Sequence, residues 1–508
     1  MTISVRAPST ERVLELAESF GMRMNAAEAA SFAGLMGGSI ESYRRVDELA
    51  MPAQPVTWPR TPGHQPAPEE NPLNAWYWRC EVKGAAEGAL AGRSVAIKDN
   101  IFVAGVPLMN GSRLLEGFVP AEDATVVMRI LDAGGTIAGK AACEDLCFSA
   151  GSHTCATGPI RNPHNPAHSA GGSSGGSAAL VASGAVDMAL GGDQGGSIRT
   201  PSAWCGAYGL KPTWGLVPVT GSMPIAYAID HCGPICGNVA DVATLLSVIA
   251  GRDPLDPRTA LADVQDYRAA LGQGVQGLRI GLLQEGFAHG DASDPATSAK
   301  VRAAIEVLQG QGATVEEVSV PMHYDAPHVW TAIIVEGAAE MMLKGNGQGS
   351  NWNGHHSVAL VDAFARGWQS RPDDLSETCK LVLLLGEYMK QDYHGRYHAK
   401  GLTLQRAVKA AYDTALEQCD ALVMPTIPFP ATKIPLPGCS REEYVELALN
   451  MQHNTCPFDV AGHPAFTIPC GKVDGLPVGL MIVTRHFDEA MAIRIADAYA
   501  GAVDWTTA

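Results

Sequence analysis

Gly171-Gly172-Ser173-Ser174-Gly175-Gly176-Ser177, followed by Gly191-Gly192-Asp193-Gln194-Gly195-Gly196-Ser197, is the stretch from which the rest of the chain is read. Two glycine-flanked serines, Ser173 and Ser197, stand 24 positions apart, and Lys98 stands 75 positions before the first. Glycine has no Cβ, so a backbone rich in it approaches a ligand closely or takes angles that other residues resist. A hydroxyl set among glycines is placed to be an exposed nucleophile with backbone N–H groups beside it. Acyl transfer needs both: an attacking oxygen, and donors for the oxyanion that develops.

Outward from these loops the chain alternates between two periodicities. Residues 95–97, 136–138, 278–283, 314–320, 422–424, 466–468 and 478–483 read as strands, and 125–131, 177–183 and 301–308 read as helices. The alternation predicts an α/β fold, a mixed β-sheet core covered by helices on both sides. Before it, residues 9–50 read as helical: Val13, Leu14, Leu16 and Ala17 form an apolar stripe, and Asn25 with Glu28 forms a capping box. Seven prolines between Pro52 and Pro72 interrupt any helix there. The expected organisation is a helical N-terminal extension (1–50), a Pro-rich linker (51–72) and a catalytic domain (73–508).

Bulk properties narrow the function. At 508 residues, the chain can bury a large core. An apolar fraction of 46% and a charged fraction of 18% are those of a globular enzyme. A net charge of −17 with no basic cluster argues against nucleic acid and against an acidic membrane surface as partners. No apolar run reaches the roughly 18 residues of a spanning helix, and Glu11, Glu15 and Glu18 are unlike a signal peptide. The twelve cysteines lack a paired metal spacing and read as reduced, buried thiols of a cytoplasmic protein. Neither metal nor cofactor is expected.

Several local matches fail on context. Val95-Ala96-Ile97-Lys98 has the letters of the kinase phosphate-binding strand, yet the glycine loop and both catalytic kinase motifs are missing. Gly134 to Lys140 nearly matches a phosphate loop, but Ala141 replaces the required hydroxyl and residues 136–138 read as strand. Gly171 to Gly175 satisfies the nucleophile-elbow pattern, yet the polar stretch 165–170 is no strand and the second loop stays unexplained. His153, His164 and His168 near the loop read as structural.

Lys98, the first serine-glycine block and the second together resemble the amidase signature family. The resemblance covers about residues 71–500 and extends to the segment Cys456 to Pro464 and the run Leu476 to Gly479. The helical extension, Ala141 to Phe148 and Asp193-Gln194 make the chain most similar to the nitrile-hydratase-associated amidases of actinobacteria. The resemblance implies that Ser197 is the nucleophile, Ser173 a bridging serine held through a cis peptide after Gly172, and Lys98, uncharged, the base. It implies an oxyanion hole from the backbone N–H groups of Gln194, Gly195, Gly196 and Ser197. Phe148, Gln194 and Gln452 are expected to line the acyl pocket. Asp99, beside the lysine, is expected to point to the opposite face of the strand. The expected reaction hydrolyses small aliphatic or aromatic carboxamides to acid and ammonia, or passes the acyl group to hydroxylamine. Alternatives within the family are an anilide, aryl-amide or carbamate hydrolase and a tRNA-dependent transamidase subunit. The N-terminal helices are expected to form a homodimer interface.

Overall fold

The computed structural model describes residues 5–52, 54–350 and 353–508. The chain divides into two compact units, one ending at Pro55 and one spanning Val56–Ala508. The first holds α1 (Thr10–Ser19) and α2 (Ala26–Glu48). Asn25 Oδ1 accepts the N–H groups of Ala27 and Glu28 at 2.9 and 3.0 Å, and Glu28 Oε2 accepts that of Asn25 at 2.8 Å. This box satisfies orphan donors at the start of α2. Val13, Ala17 and Ala29 are buried, whereas Phe20, Leu35, Tyr43, Val46 and Met51 are exposed.

The second unit is built on an eleven-stranded sheet in the order β1-β3-β2-β4-β6-β5-β10-β11-β9-β7-β8. The strands are β1 (Trp76–Lys83), β2 (Ser94–Lys98), β3 (Thr136–Ala141), β4 (Met188–Asp193), β5 (Tyr208–Lys211), β6 (His231–Cys236), β7 (Arg279–Leu283), β8 (Thr314–Val318), β9 (Ala421–Pro425), β10 (Ala465–Val473) and β11 (Leu476–Val483). β2 runs parallel to both β3 and β4, and β7 parallel to β8 and β9; the remaining pairs are antiparallel. The sheet is therefore mixed, with helices on its faces. Val95, Ala96 and Ile97 of β2 are fully buried, which is why the strand reads as an unbroken apolar run.

From Val56 on, the segment expected as a linker belongs to the second unit and is tied to it. Arg60 makes a bidentate pair with Asp123 at 2.7 and 2.9 Å, Trp58 Nε1 donates to Asp132 (3.0 Å), and Trp78 Nε1 donates to the Pro62 carbonyl (2.7 Å). Two helices mark the site. α4 (Gly175–Ala182) follows the first glycine loop, and α5 (Arg199–Cys205) follows the second; α3 (Thr125–Asp132) precedes both in the chain.

Candidate active site

Lys98 is the last residue of β2, fully buried, and its Nζ donates to Ser173 Oγ (2.7 Å) and to the Gly192 carbonyl (3.2 Å). Asp99 turns away from it. Its carboxylate pairs with Lys140 Nζ (3.2 Å) and accepts the Met109 N–H (3.0 Å). Burial pushes the Asp99 carboxyl up to about 6, against the opposing pull of Lys140. Lys140, the residue that suggested a phosphate loop, is thus the buried counterion of Asp99 at the end of β3. No carboxylate lies within ion-pair distance of Lys98 among the described residues.

Ser173 sits in the first loop, and the Gly172–Ser173 peptide is cis. Glycine is required around it. Gly171 has φ +76°, and a Cβ at Gly172 would lie 2.7 Å from Glu144 Oε1. The neighbouring serines act as straps to β4: Ser174 Oγ donates to the Gly192 carbonyl (3.1 Å), and Ser177 Oγ to that of Leu190 (2.8 Å).

The second loop folds around Asp193 at the end of β4. Its carboxylate accepts the N–H groups of Gly196 (2.6 Å) and Ile198 (2.9 Å), and Arg199 Nε and Nη2 at 3.0 and 2.9 Å. Burial alone would push Asp193 up; the charge and hydrogen bonds of Arg199 hold it well below the usual carboxylate range. Arg199 also reaches Asp459 Oδ2 (2.7 Å) and the Thr455 carbonyl (2.8 Å). The loop's carbonyls are all tied back. That of Gln194 accepts from Trp330 Nε1 (2.7 Å), Gly195 from Thr455 Oγ1 (2.6 Å), Gly196 from the Thr200 N–H (2.7 Å) and Ser197 from the Ser174 N–H (3.2 Å). The N–H groups of Gln194, Gly195 and Ser197 have no acceptor among the described residues. Gly196 departs from the expected set of four donors, because the Asp193 carboxylate already holds its N–H.

Ser197 opens on a small cavity also lined by Phe148, Gln194, Gln452, Ile225, Ile334, Leu449 and Trp330. All three expected pocket residues are there. Trp330 and Ile334 join them from outside the expected set. They lie four apart on the helix Met322–Ala338 and so share one face; nothing local in the sequence says that this face meets the glycine loop. No hydrogen bond joins the hydroxyls of Ser173 and Ser197. Asp413, His463 and His486 bring three possible metal-ligand atoms within 4.8 Å of one another, and none of them lines the cavity.

The mixed sheet, the two glycine loops and the largely apolar cavity beside Ser197 define an α/β enzyme built for acyl chemistry. The chain belongs to the amidase family, whose model, described as amidase, matches residues 64–493. It is similar to the enantioselective amidase of Rhodococcus rhodochrous, 47% identical over 498 residues that cover 97% of this chain and 95% of that one. It is also similar to one component of the glutamyl-tRNA(Gln) amidotransferase of Methanosarcina acetivorans, 39% identical over 84% of this chain and 88% of the relative. Among solved structures it resembles the native peptide amidase of Stenotrophomonas maltophilia, with a TM-score of 0.66 and 30% identity over 82% of this chain and 83% of that one.

Proposed function

We propose that the enzyme hydrolyses small carboxamides through an acyl-enzyme on Ser197. Ser197 Oγ attacks the amide carbon, and its proton passes through Ser173 to the amine of Lys98. The same relay returns a proton to the leaving nitrogen. The unpartnered N–H groups of Gln194, Gly195 and Ser197 receive the oxyanion; one such donor contributes about 10²–10³-fold in rate. Water then releases the acid, and hydroxylamine can take its place. The observation that carries this reading is the 2.7 Å contact between the buried Lys98 Nζ and Ser173 Oγ. Its test is turnover by Lys98→Ala and Ser197→Ala variants whose circular dichroism matches that of the parent.

The apolar wall of Phe148, Ile225, Trp330, Ile334 and Leu449, with Gln452 beside it, suits short aliphatic or single-ring acyl groups. Ammonia release from propionamide and benzamide, compared with aniline release from acetanilide, separates this reading from an anilide or carbamate hydrolase. The likeness to the Rhodococcus enzyme over nearly the whole chain supports a free-standing amidase over a transamidase component. We place the enzyme in the cytoplasm, serving nitrile degradation. Its free cysteines agree with a reducing compartment, and no helix among the described residues is long and apolar enough to cross a membrane. The partner we assign is a second copy, joined through the N-terminal helices.

A further inference from the structure

Away from the acyl cavity, three side chains from distant parts of the chain meet. Asp413 comes from the helix Arg396–Gln418, His463 from the turn that leads into β10, and His486 from the segment after β11. Asp413 stands 50 positions before His463, and His486 another 23 after it, so no local spacing announces the group. One ligand atom of each lies within 4.8 Å of the other two. His463 Nε2 and Asp413 Oδ1 are 3.0 Å apart, near enough for both to hold one ion through bonds of about 2.0–2.2 Å. The two imidazole rings stand edge to face, with centroids 4.3 Å apart. Gly462 lets them approach: its φ is +75°, and a Cβ there would lie 3.3 Å from His486 Cε1. His486 Nε2 donates to the Ala461 carbonyl (3.0 Å), the kind of outer hydrogen bond that fixes the tautomer and orientation of a ligating imidazole. His463 is fully buried and its Nδ1 has no hydrogen-bond partner, so the ring has no bond to lose there when its proton moves from Nε2 to Nδ1. A cation already rests on the carboxylate. Lys409 Nζ lies 2.6 Å from Asp413 Oδ2, and both side chains are more than two-fifths exposed, at 42% and 44%, which leaves the lysine room to swing into water and opens a route from solvent.

We propose that Asp413, His463 and His486 form a binding site for a borderline divalent cation of the zinc class. Two imidazoles and one carboxylate are a ligand set that holds Zn²⁺ and leaves a fourth position for water. The same set selects against Mg²⁺ and Ca²⁺, which ask for oxygen donors alone. The ion takes the place of the proton between His463 and Asp413, and Lys409 gives up the carboxylate. By joining the helix Arg396–Gln418 to the start of β10 and the end of β11, it clips together three segments far apart in the chain, so binding stabilises the folded state. None of the three residues lines the acyl cavity, and the site is separate from the proposed turnover.

The test strips the full-length enzyme with a chelator and titrates it calorimetrically with ZnCl₂ and, separately, MgCl₂. The expected result is saturable binding of Zn²⁺ and none of Mg²⁺, with a rise in Tm on zinc alone. His486→Gln keeps an N–H donor for the Ala461 carbonyl, and Asp413→Asn keeps an acceptor for His463; each is expected to weaken zinc binding by about tenfold or more. Lys409→Met removes the competing charge and is expected to tighten it. Turnover of a small amide by the metal-free variants stays at the parent level, which shows that they are folded. Co²⁺ in place of Zn²⁺ is expected to give visible absorption without the thiolate charge-transfer band that binding to the partly buried Cys80 or Cys439 would produce. The proposal is overturned by the lack of zinc binding, by equal affinity in the parent, His486→Gln and Asp413→Asn, or by a thiolate band that accounts for all the bound metal. If neither of those two variants folds, the exposed Lys409→Met decides, and an affinity unchanged by it counts against the site.

Discussion

Three side chains carry the proposed reaction, and each is positioned by partners of a different kind. Lys98 is held by a hydroxyl and a carbonyl, Ser173 by the lysine, and Ser197 by the tied-back carbonyls of its own loop. Replacing Ser197 or Lys98 with alanine is expected to lower kcat by roughly 10⁴-fold or more, and the double variant to be no worse than either single one. Steady-state kinetics on one small amide checks both statements, and additive losses would mean that the two residues do not act together. Trp330→Phe keeps the aromatic wall but removes the donor to the Gln194 carbonyl. It is expected to lower kcat by about 3–10-fold with little change in KM, the value of one neutral hydrogen bond felt mainly in the transition state. At this scale, the glycine spacing singled out Ser173 and Ser197, the family resemblance added Lys98, and the structure sets the Lys98 amine against the Ser173 hydroxyl. The assignment of the Gly196 N–H was not, because it depends on where the Asp193 carboxylate turns after β4 ends. Asp99 was legible in outline, since neighbouring strand residues face opposite ways, but Lys140 as its counterion was not.

The elements that hold these residues are close-fitted. α4 packs so tightly that a Cβ on Gly176 would run into the carbonyl oxygens of Ala142 and Ala75. Gly176→Ala is expected to cost about 1–3 kcal/mol of stability, measured by urea unfolding, because the obstruction is backbone and cannot swing aside. The loop between β4 and α5 is anchored by the fully buried pair of Asp193 and Arg199. Asp193→Asn leaves a buried guanidinium short of a partner and is expected to cost about 3–5 kcal/mol. The pH dependence follows from the sign of the shift. The folded-state pKa of Asp193 is depressed, so its stabilisation is complete above the unfolded value of about 3.9 and is lost as the pH falls below it. The stability gap between parent and Asp193→Asn should therefore narrow as the medium is acidified past about pH 4; a gap constant down to pH 2 would contradict the ion pair. Strands such as β2, β9 and β11 were readable from buried apolar runs. β4 was not, because Gly191 and Gly192 read as loop when they in fact belong to a central strand, Gly191 at a position where a Cβ would meet Ile198 and Ile235. The helix Met322–Ala338 carries Pro327 inside it and gives no clean periodic signal, so its contribution to the pocket wall stayed hidden.

Across the whole molecule, the mixed sheet closes distances that the chain leaves open. β2 and β4 run side by side and parallel, so Lys98 at the end of one and the second glycine loop after the other come out at the same end of the sheet. The first unit, ending at Pro55, leaves Phe20, Leu35, Tyr43, Val46 and Met51 exposed, more apolar surface than two short helices leave in water without a partner. Light scattering is expected to give about twice the 53.3 kDa chain mass, and removal of residues 1–55 to give a monomer; a full-length monomer contradicts the dimer. The mixed α/β class was legible from alternating periodicities, whereas the strand order was not, because register and neighbour choice depend on contacts far apart in sequence. The most direct test of the central claim is covalent trapping with a fluorophosphonate and peptide mapping of the product. The prediction is one adduct, on Ser197, absent in Ser197→Ala and formed far more slowly in Lys98→Ala. An adduct on Ser173, or an active enzyme that takes up no label, would contradict it.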